Sequence, residues 1–183
     1  MSKRVSIFKR RSGAKASYEA LMAPYVNGLY KQAYRYTGNE SDAEDLLQDL
    51  LLDMYQKQDK LRAAPVPKAW LHRCLYNRFI DDYRKQQRQP ESDAINNENV
   101  LPLASVDSPE ADVGYQQIIR CMQQLSPAQR MVVSLHDIEG YTLVELAQSM
   151  DMPLGTLKSH LHRARKVLKQ QFDVQPFEGG ARY

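Results

Sequence analysis

Residues 142–172 read TLVELAQSMDMPLGTLKSHLHRARKVLKQQF, and this stretch decides the fold of the C-terminal half of the chain. Its pattern predicts a short capped helix over 142–150, a turn over 151–155 and a longer helix over 156–172. Two helices joined in this way are typical of a helix-turn-helix, whose second helix enters the major groove of DNA.

The longer helix has two different faces. Leu157, Leu161, Ala164 and Leu168 recur at helical spacing and should pack inward. The outward face carries Lys158, Ser159, His162, Arg163 and Lys166. No acidic residue follows Asp151 until position 173, so this face can approach phosphates and base edges without electrostatic repulsion. The alternative is a basic helix that is merely solvated, and the preceding turn favours DNA binding over it.

Three capping boxes indicate where helices begin, because each pairs a Ser or Thr with a Glu or Gln three residues later. They are Ser41/Glu44, Ser126/Gln129 and Thr142/Glu145. Gly38 and Gly140 lie where the preceding helices should end. No strand pattern competes with these signals, so the sequence predicts an all-α fold.

Residues 89–114 differ in character from the sequence on both sides. Three prolines interrupt this range, and all of its charged residues are acidic. Such a composition predicts a flexible acidic linker between two small helical domains. The predicted organisation is a basic tail (1–17), a helical domain (18–88), the linker (89–114), a helix-turn-helix domain (115–173) and a C-terminal tail (174–183).

The helix predicted from Ser41 to Lys57 has an apolar stripe and an acidic face. The stripe consists of Leu46, Leu47, Leu50, Leu51 and Met54. Its helical spacing predicts burial. Asp45, Asp49 and Asp53 lie on another face, and no Lys or Arg precedes Lys57 in this helix. These carboxylates either form a solvated face that complements the helix dipole or dock on a basic partner, and charge alone does not distinguish the two.

Aromatic and basic residues are mixed in the helix predicted over 68–88. The aromatic residues are Trp70, Tyr76, Phe79 and Tyr83, and the cations include Arg73, Arg78, Arg84, Lys85 and Arg88. This combination is typical of single-stranded nucleic-acid binding, since bases stack on rings while cations contact phosphates. The alternative is that Trp70 and its apolar neighbours form core and that the charges are solvated.

Bulk properties exclude several classes of protein. A net charge of +3 permits a nucleic-acid partner without requiring one. Cys74 and Cys121 have no His or Cys at metal-ligand spacing, so we expect no disulfide framework, no metal site and no cofactor. The basic N-terminus is not followed by an apolar segment of the length that a signal peptide or a membrane helix needs. We therefore expect a cytoplasmic protein without membrane insertion.

Six motifs follow one another along the chain. They are DAEDLLQD at 42–49, WLHR at 70–73, LSPAQR at 125–130, EGYT at 139–142, PLGTLKS at 153–159 and LHRAR at 161–165. In this order they resemble the sigma-70 family of RNA polymerase sigma factors. Because only two domains fit the chain, the resemblance is to the extracytoplasmic-function (ECF) group of that family. It implies a subunit that directs core RNA polymerase to particular promoters and is not an enzyme.

The resemblance also implies roles for three sets of residues. The set for contact with core RNA polymerase is Asp45, Gln48 and Asp49. The set for recognition and melting of the −10 promoter element is Trp70, Arg73, Tyr76, Asn77, Tyr83 and Arg84. The set for the −35 element is Lys158, Ser159, His162, Arg163 and Lys166. The implied partners are core polymerase, promoter DNA and a membrane-anchored anti-sigma factor.

Two other functions are compatible with parts of the sequence. A free-standing regulator could bind operators as a dimer through the helix-turn-helix, but it leaves the N-terminal half unexplained. A metal-dependent phosphohydrolase or nuclease could use a group of four residues. They are Asp81, Asp82, His136 and Asp137. Complex formation with core polymerase separates the first alternative from a sigma factor, and cleavage of DNA that depends on divalent metal would support the second.

Overall fold

The computed structural model describes residues 14–88 and 109–174, and within these ranges it is helical without a strand. The elements are α1 (Ala14–Thr37), α2 (Glu40–Gln56), α3 (Gln58–Ala63), α4 (Pro67–Arg88), α5 (Pro109–Gln123), α6 (Pro127–Val133), a π-helical turn (Ser134–Ile138), α7 (Leu143–Met150) and α8 (Leu154–Val174). The predicted all-α class is confirmed.

The N-terminal half is built on α2. Helix α1 packs along α2, and α4 packs against both. The predicted apolar stripe of α2 is buried throughout. The Tyr18 hydroxyl of α1 donates to the Leu51 carbonyl oxygen of α2 at 2.6 Å, which fixes the two helices against each other. Burial of each large apolar side chain contributes about 1.5–3 kcal/mol, so this stripe is a main source of the stability of this half.

The start of α2 differs from the prediction. The N-cap is Asn39, whose Oδ1 accepts a hydrogen bond from the Asp42 backbone N–H at 2.8 Å. Gly38 has a φ of +83°, which ends α1 and directs the chain into the extended conformation of the cap. Ser41 therefore already lies in the first turn of α2, and the predicted Ser41/Glu44 capping box is wrong.

The two capping boxes in the C-terminal half are confirmed. The Ser126 Oγ accepts from the Gln129 backbone, and the Gln129 side chain accepts from the Ser126 backbone. Thr142 and Glu145 form the same reciprocal pair at the start of α7. Helix α5 begins at Pro109, inside the range predicted as linker. Residues 89–108 and the two termini, 1–13 and 175–183, lie outside the described residues.

The helix-turn-helix is present, with α8 beginning two residues earlier than predicted. Asp151 ends α7 in the left-handed conformation, at a φ of 55°. Helix α8 then packs against α6 and α7. Of the four residues of α8 predicted to face inward, Leu157, Leu161 and Ala164 are buried, and Leu168 is partly buried against the same apolar cluster. They belong to the same apolar cluster as Leu146 of α7.

The two halves of the chain pack against each other. Helix α1 contacts α5 and α6, and α4 contacts α7. Buried residues of both halves form one continuous apolar cluster. No helix in the ranges 14–88 and 109–174 is long and apolar enough to cross a bilayer.

Candidate nucleic-acid interface

The outward face of α8 is an exposed basic surface. Its five predicted −35 residues are all exposed. At 100° per residue, positions 158, 159, 162, 163 and 166 fall within an arc of about 140° of the helix circumference. The neighbouring Arg165 donates hydrogen bonds to Asp137, at 3.1 Å from Nε. In the described part of the chain, none of the five residues forms an ion pair with a carboxylate. The surface is therefore open to a polyanion.

The aromatic residues of α4 divide into core and surface. Phe79 is buried, and its ring stacks on Tyr36 with centroids 5.0 Å apart. Tyr76 is half-buried and meets Tyr36 edge to face at 6.0 Å. Asn77, Tyr83 and Arg84 are exposed.

The remaining two residues of the predicted −10 set, Trp70 and Arg73, are half-buried. Trp70 packs at the edge of the apolar cluster. Arg73 lies 3.5 Å from a carboxylate oxygen of Asp151, in the turn before α8. The side chains of α4 that are free to meet unpaired bases are thus concentrated at Asn77 and toward the C-terminal end of the helix.

The acidic face of α2 is partly neutralised by α4. Arg78 donates to Asp49 Oδ2 from Nε at 3.2 Å and from Nη2 at 2.9 Å. Asp53 accepts from Lys57 Nζ at 2.8 Å. Asp45 is exposed and has no ion-pair partner within residues 14–88 and 109–174. Of the three carboxylates, Asp45 is therefore the most available to a basic partner.

One exposed apolar residue on this face was not predicted from the sequence. The Leu52 side chain is 67% exposed. At 100° per residue it lies about 20° from Asp45 around the helix and so shares its face. A leucine that falls outside the buried stripe of an amphipathic helix was the signal that would have identified it.

His72 lies buried where the two halves meet. Neither ring nitrogen has a hydrogen-bond partner, and the ring meets Tyr141 of the other half edge to face at 5.9 Å. Burial lowers the pKa of His72 to about 4, and the nearby carboxylate of Glu139 opposes this effect only in part. Lys68 and Arg35, also nearby, lower the pKa further.

Acidification should therefore destabilise the protein through His72. A histidine whose folded-state pKa lies below its unfolded value contributes stability above about pH 6.5 and loses it as the pH falls toward 4. Between pH 7.5 and 5 we expect the free energy of unfolding to fall by about 2 kcal/mol from this residue. Urea titrations of the wild type and of His72→Leu across this range measure it.

The variant is the control in this experiment, because His160 and the acidic groups contribute equally to both proteins. Burial also lowers the pKa of His160, and its contribution has the same sign. The difference between the two pH profiles belongs to His72 alone. Parallel profiles would contradict a buried, neutral His72.

Three of the four residues of the hydrolase alternative are engaged in other contacts, and Asp81 is exposed. His136 Nδ1 lies 2.6 Å from the Tyr141 carbonyl oxygen, and Asp137 pairs with Arg165. Asp82 pairs with Lys85 within α4. No group of three or more His, Cys, Asp or Glu residues in the described ranges could hold a metal ion.

Comparison with known proteins agrees with this geometry. The family model for sigma-70 region 2 matches residues 21–89, and the model for sigma-70 region 4 matches residues 115–168. The ECF RNA polymerase sigma factor SigE of Mycolicibacterium smegmatis is 30% identical over 162 residues, which are 85% of this chain and 62% of that protein. SigW of Bacillus subtilis is 28% identical over 184 residues, covering 93% of this chain and 96% of the relative.

A solved structure has the same fold. The sigma factor RpoE from Bartonella quintana, in complex with the anti-sigma factor NepR, superposes with a TM-score of 0.66 at 27% identity. The alignment covers 87% of this chain and 98% of that one.

An all-α chain with an acidic helix, an aromatic and basic helix and an exposed helix-turn-helix face defines a DNA-binding transcription protein. The two family models together cover more than half of the chain, and the relatives are ECF sigma factors. The chain belongs to the ECF group of the sigma-70 family. Sigma factors direct transcription initiation at particular promoters, and this chain is one of them. The sigma factor family is not a class of enzymes.

Proposed function

We propose that three surfaces of this chain divide the work of promoter-specific initiation. The acidic face of α2 binds core RNA polymerase, α4 recognises and melts the −10 element, and α8 binds the −35 element. The observation that carries the proposal is the arc of five exposed polar and basic side chains on α8, whose opposite side is buried in the helix-turn-helix core.

The polymerase surface combines charge with an apolar centre. Asp45, Gln48 and Asp49 supply acidic and polar groups, and the exposed Leu52 lies among them. Interfaces of this composition gain specificity from complementary charge and affinity from desolvation of the apolar side chain. Arg78 of α4 fixes the position of the Asp49 carboxylate by a hydrogen bond. This contact joins the proposed polymerase surface on α2 to the helix that is proposed to bind the −10 element.

The −10 surface is proposed around Asn77. An exposed Asn side chain can both donate to and accept from the edge of an unpaired base. Tyr83 offers a ring for stacking, and Arg84 offers a cation for the phosphates. Three half-buried residues border this surface, namely Trp70, Arg73 and Tyr76. They are proposed to contribute to −10 binding through the parts of their side chains that are exposed.

The wider setting of the protein is proposed on the same basis. The domains extend over 18–88 and 115–173, and the protein acts in the cytoplasm, where core polymerase is found. The B. quintana sigma factor was solved with an anti-sigma factor. An anti-sigma factor is therefore proposed as a regulator of this chain, and the family resemblance adds that it is anchored in the membrane.

Run-off transcription tests the proposed function directly. Core polymerase with this chain should initiate at promoters that core polymerase alone does not use. A library of promoter fragments identifies the preferred −35 and −10 sequences. Absence of stimulated, promoter-specific initiation with folded protein would refute the proposal.

Asn77→Ala should impair the opening of duplex promoters. Loss of a base contact costs about 1–3 kcal/mol, so open complexes should decrease about tenfold. A template melted in advance at −10 should restore the opening step but leave the sequence preference at −10 relaxed. Permanganate footprinting and abortive transcription measure both effects.

Asn27→Ala is the matched control, because it makes the same change at an exposed position of α1. It should transcribe like the wild type. If Asn77→Ala also opens duplex promoters at the wild-type rate, the role of Asn77 is refuted.

A further inference from the structure

An arginine at the edge of the α8 surface is held by a two-point contact from a neighbouring carboxylate. Arg165 donates to Asp137 Oδ2 from Nε at 3.1 Å and to Oδ1 from Nη2. The planar fork of a guanidinium matches the two oxygens of a carboxylate, so a pair of this kind fixes the direction of the arginine side chain. It also ties α8 to the π-helical turn that precedes α7, since Asp137 belongs to that turn.

The backbone on both sides of this pair is fixed by the core. In the π-helical turn, Ser134 and Leu135 are buried, and the Leu135 carbonyl oxygen accepts from the Tyr141 backbone N–H at 3.0 Å. On α8, Ala164 next to the arginine is fully buried. A π-helical turn holds one residue more than an α-helical turn and is frequent at functional sites. Asp137 is therefore presented to α8 from a rigid support.

Arg165 borders the arc of exposed side chains on α8. It lies seven positions after Lys158, which places it about 20° outside the Lys158 edge of that arc. Its side chain is 57% exposed. The pair uses Nε and Nη2, which leaves the N–H groups of Nη1 to meet another acceptor. Base edges are contacted by the first residues of a recognition helix, and Arg165 lies about 17 Å along the axis from Leu154, where the phosphate backbone is the nearer target.

A carboxylate at this position needs an explanation. Residues 154–172 of α8 include no acidic side chain, so the helix itself avoids repulsion of phosphates. Asp137 reintroduces a negative charge at the edge of the same surface. An exposed ion pair contributes little to stability, so stability alone is a weak reason for it. The charge is explained if orienting Arg165 gains more DNA affinity than the repulsion loses.

We propose that Arg165 is a further DNA contact, to a backbone phosphate beside the −35 element, and that Asp137 is the positioning residue that holds it there. This inference rests on the proposed binding of the −35 element by α8. Neither residue belongs to the set that the sequence predicts for that element. All base pairs present the same phosphates, so the contact sets affinity and the orientation of α8 and leaves base preference to the residues of the arc.

Asp137→Ala tests the positioning role, because charge alone predicts the opposite result. The chain assembled with core polymerase is titrated with a promoter fragment at several salt concentrations. We expect about fivefold weaker binding, and a slope of affinity against salt concentration that is reduced by about one unit, since an oriented phosphate contact is lost. The ranking of −35 variants should not change. If Asp137 acted only through its charge, its removal would tighten binding and would not reduce the slope.

A double-mutant cycle shows whether Asp137 acts through Arg165. Arg165→Ala should weaken binding at least as much as Asp137→Ala, because it removes the contact and leaves the carboxylate unpaired. In the Arg165→Ala background, Asp137→Ala should then tighten binding, since only repulsion remains to be relieved. The effect of the same substitution thus changes sign with its partner. Asp137→Glu retains a carboxylate and should recover most of the lost affinity.

Asp59→Ala is the matched control, because it removes an exposed carboxylate on α3 and changes the net charge equally. It should bind the promoter like the wild type. Circular dichroism confirms that each variant keeps its helical content. Unchanged or tighter binding by folded Asp137→Ala, or a weakening that persists when Arg165 is absent, would overturn the positioning role.

Failure of the proposed function gives a different result. A wild-type complex that binds the promoter no better than a random duplex would refute −35 binding by α8, and the contact of Arg165 with it. A wild-type complex that prefers the promoter, combined with a cycle that shows no change of sign, would overturn only the inference about Asp137 and Arg165.

Discussion

Replacing Asp45 and Asp49 together by lysine should weaken binding to core RNA polymerase by about 100-fold, or about 3 kcal/mol. Asp45 is exposed and unpaired within the described residues, so Asp45→Lys alone should account for about tenfold. Reversal of charge both removes attraction to a basic partner and introduces repulsion. Titration of labelled core polymerase with each variant measures the affinity.

Asp59→Lys is the matched control for the single variant, because it reverses an exposed carboxylate on α3 and changes the net charge equally. It should bind core polymerase like the wild type. Asp49→Lys also disturbs Arg78, so Asp49→Asn separates loss of the ion pair from repulsion. Unchanged affinity of a double variant that is folded by circular dichroism would remove α2 from the polymerase surface.

The local features of the fold were predictable because they depend on near neighbours in the sequence. The leucine stripe of α2 and the inward residues of α8 follow from helical periodicity, and the structure packs all of them in the apolar cluster, with only Leu168 partly buried. The capping boxes at Ser126 and Thr142 are reciprocal pairs within one turn. The sequence near a helix start is a less reliable guide where two residues could each serve as the N-cap. Asn39 is the N-cap of α2 instead of the predicted Ser41, because Gly38 ends α1 immediately before Asn39.

Periodicity could also have separated the aromatic residues of α4. Leu71, Leu75 and Phe79 are spaced by four residues and are all buried. Composition alone grouped Phe79 with the rings available to bases. The structure assigns it to the core beside Tyr36, so Tyr83 is the more accessible ring of the proposed −10 surface.

Contacts between the two halves were not predictable in the same way. Arg35 and Glu139 are 104 positions apart, and Arg130 and Tyr36 are 94 apart. An arginine in an amphipathic helix is ordinarily solvated, so no local pattern marks Arg35 or Arg130 as buried. His72 lies in the WLHR motif, and the sequence assigned it no role of its own. Its burial against Tyr141 depends on the packing of the two halves.

Arg163→Ala and Lys158→Ala should weaken −35 binding in two different ways. Arg163 can make a bidentate contact to a guanine, and its loss should cost about 1–3 kcal/mol and relax the preference at one base pair. Lys158, as a phosphate contact, should weaken all sequences alike and reduce the slope of affinity against salt concentration by about one unit. A binding assay with single-base variants of the −35 element at several salt concentrations distinguishes these results.

The chain offers matched controls for both substitutions. Arg120→Ala on α5 and Lys31→Ala on α1 remove exposed cations away from α8 and change the net charge by the same amount. They should alter affinity only through the weak long-range field, which salt screens beyond about 10 Å. Both substituted sites on α8 are exposed, so their effects do not pass through the core. A base contact changes the ranking of sequences, whereas charge attraction does not. Wild-type affinity and ranking in both α8 variants would exclude this face of the helix as the −35 surface.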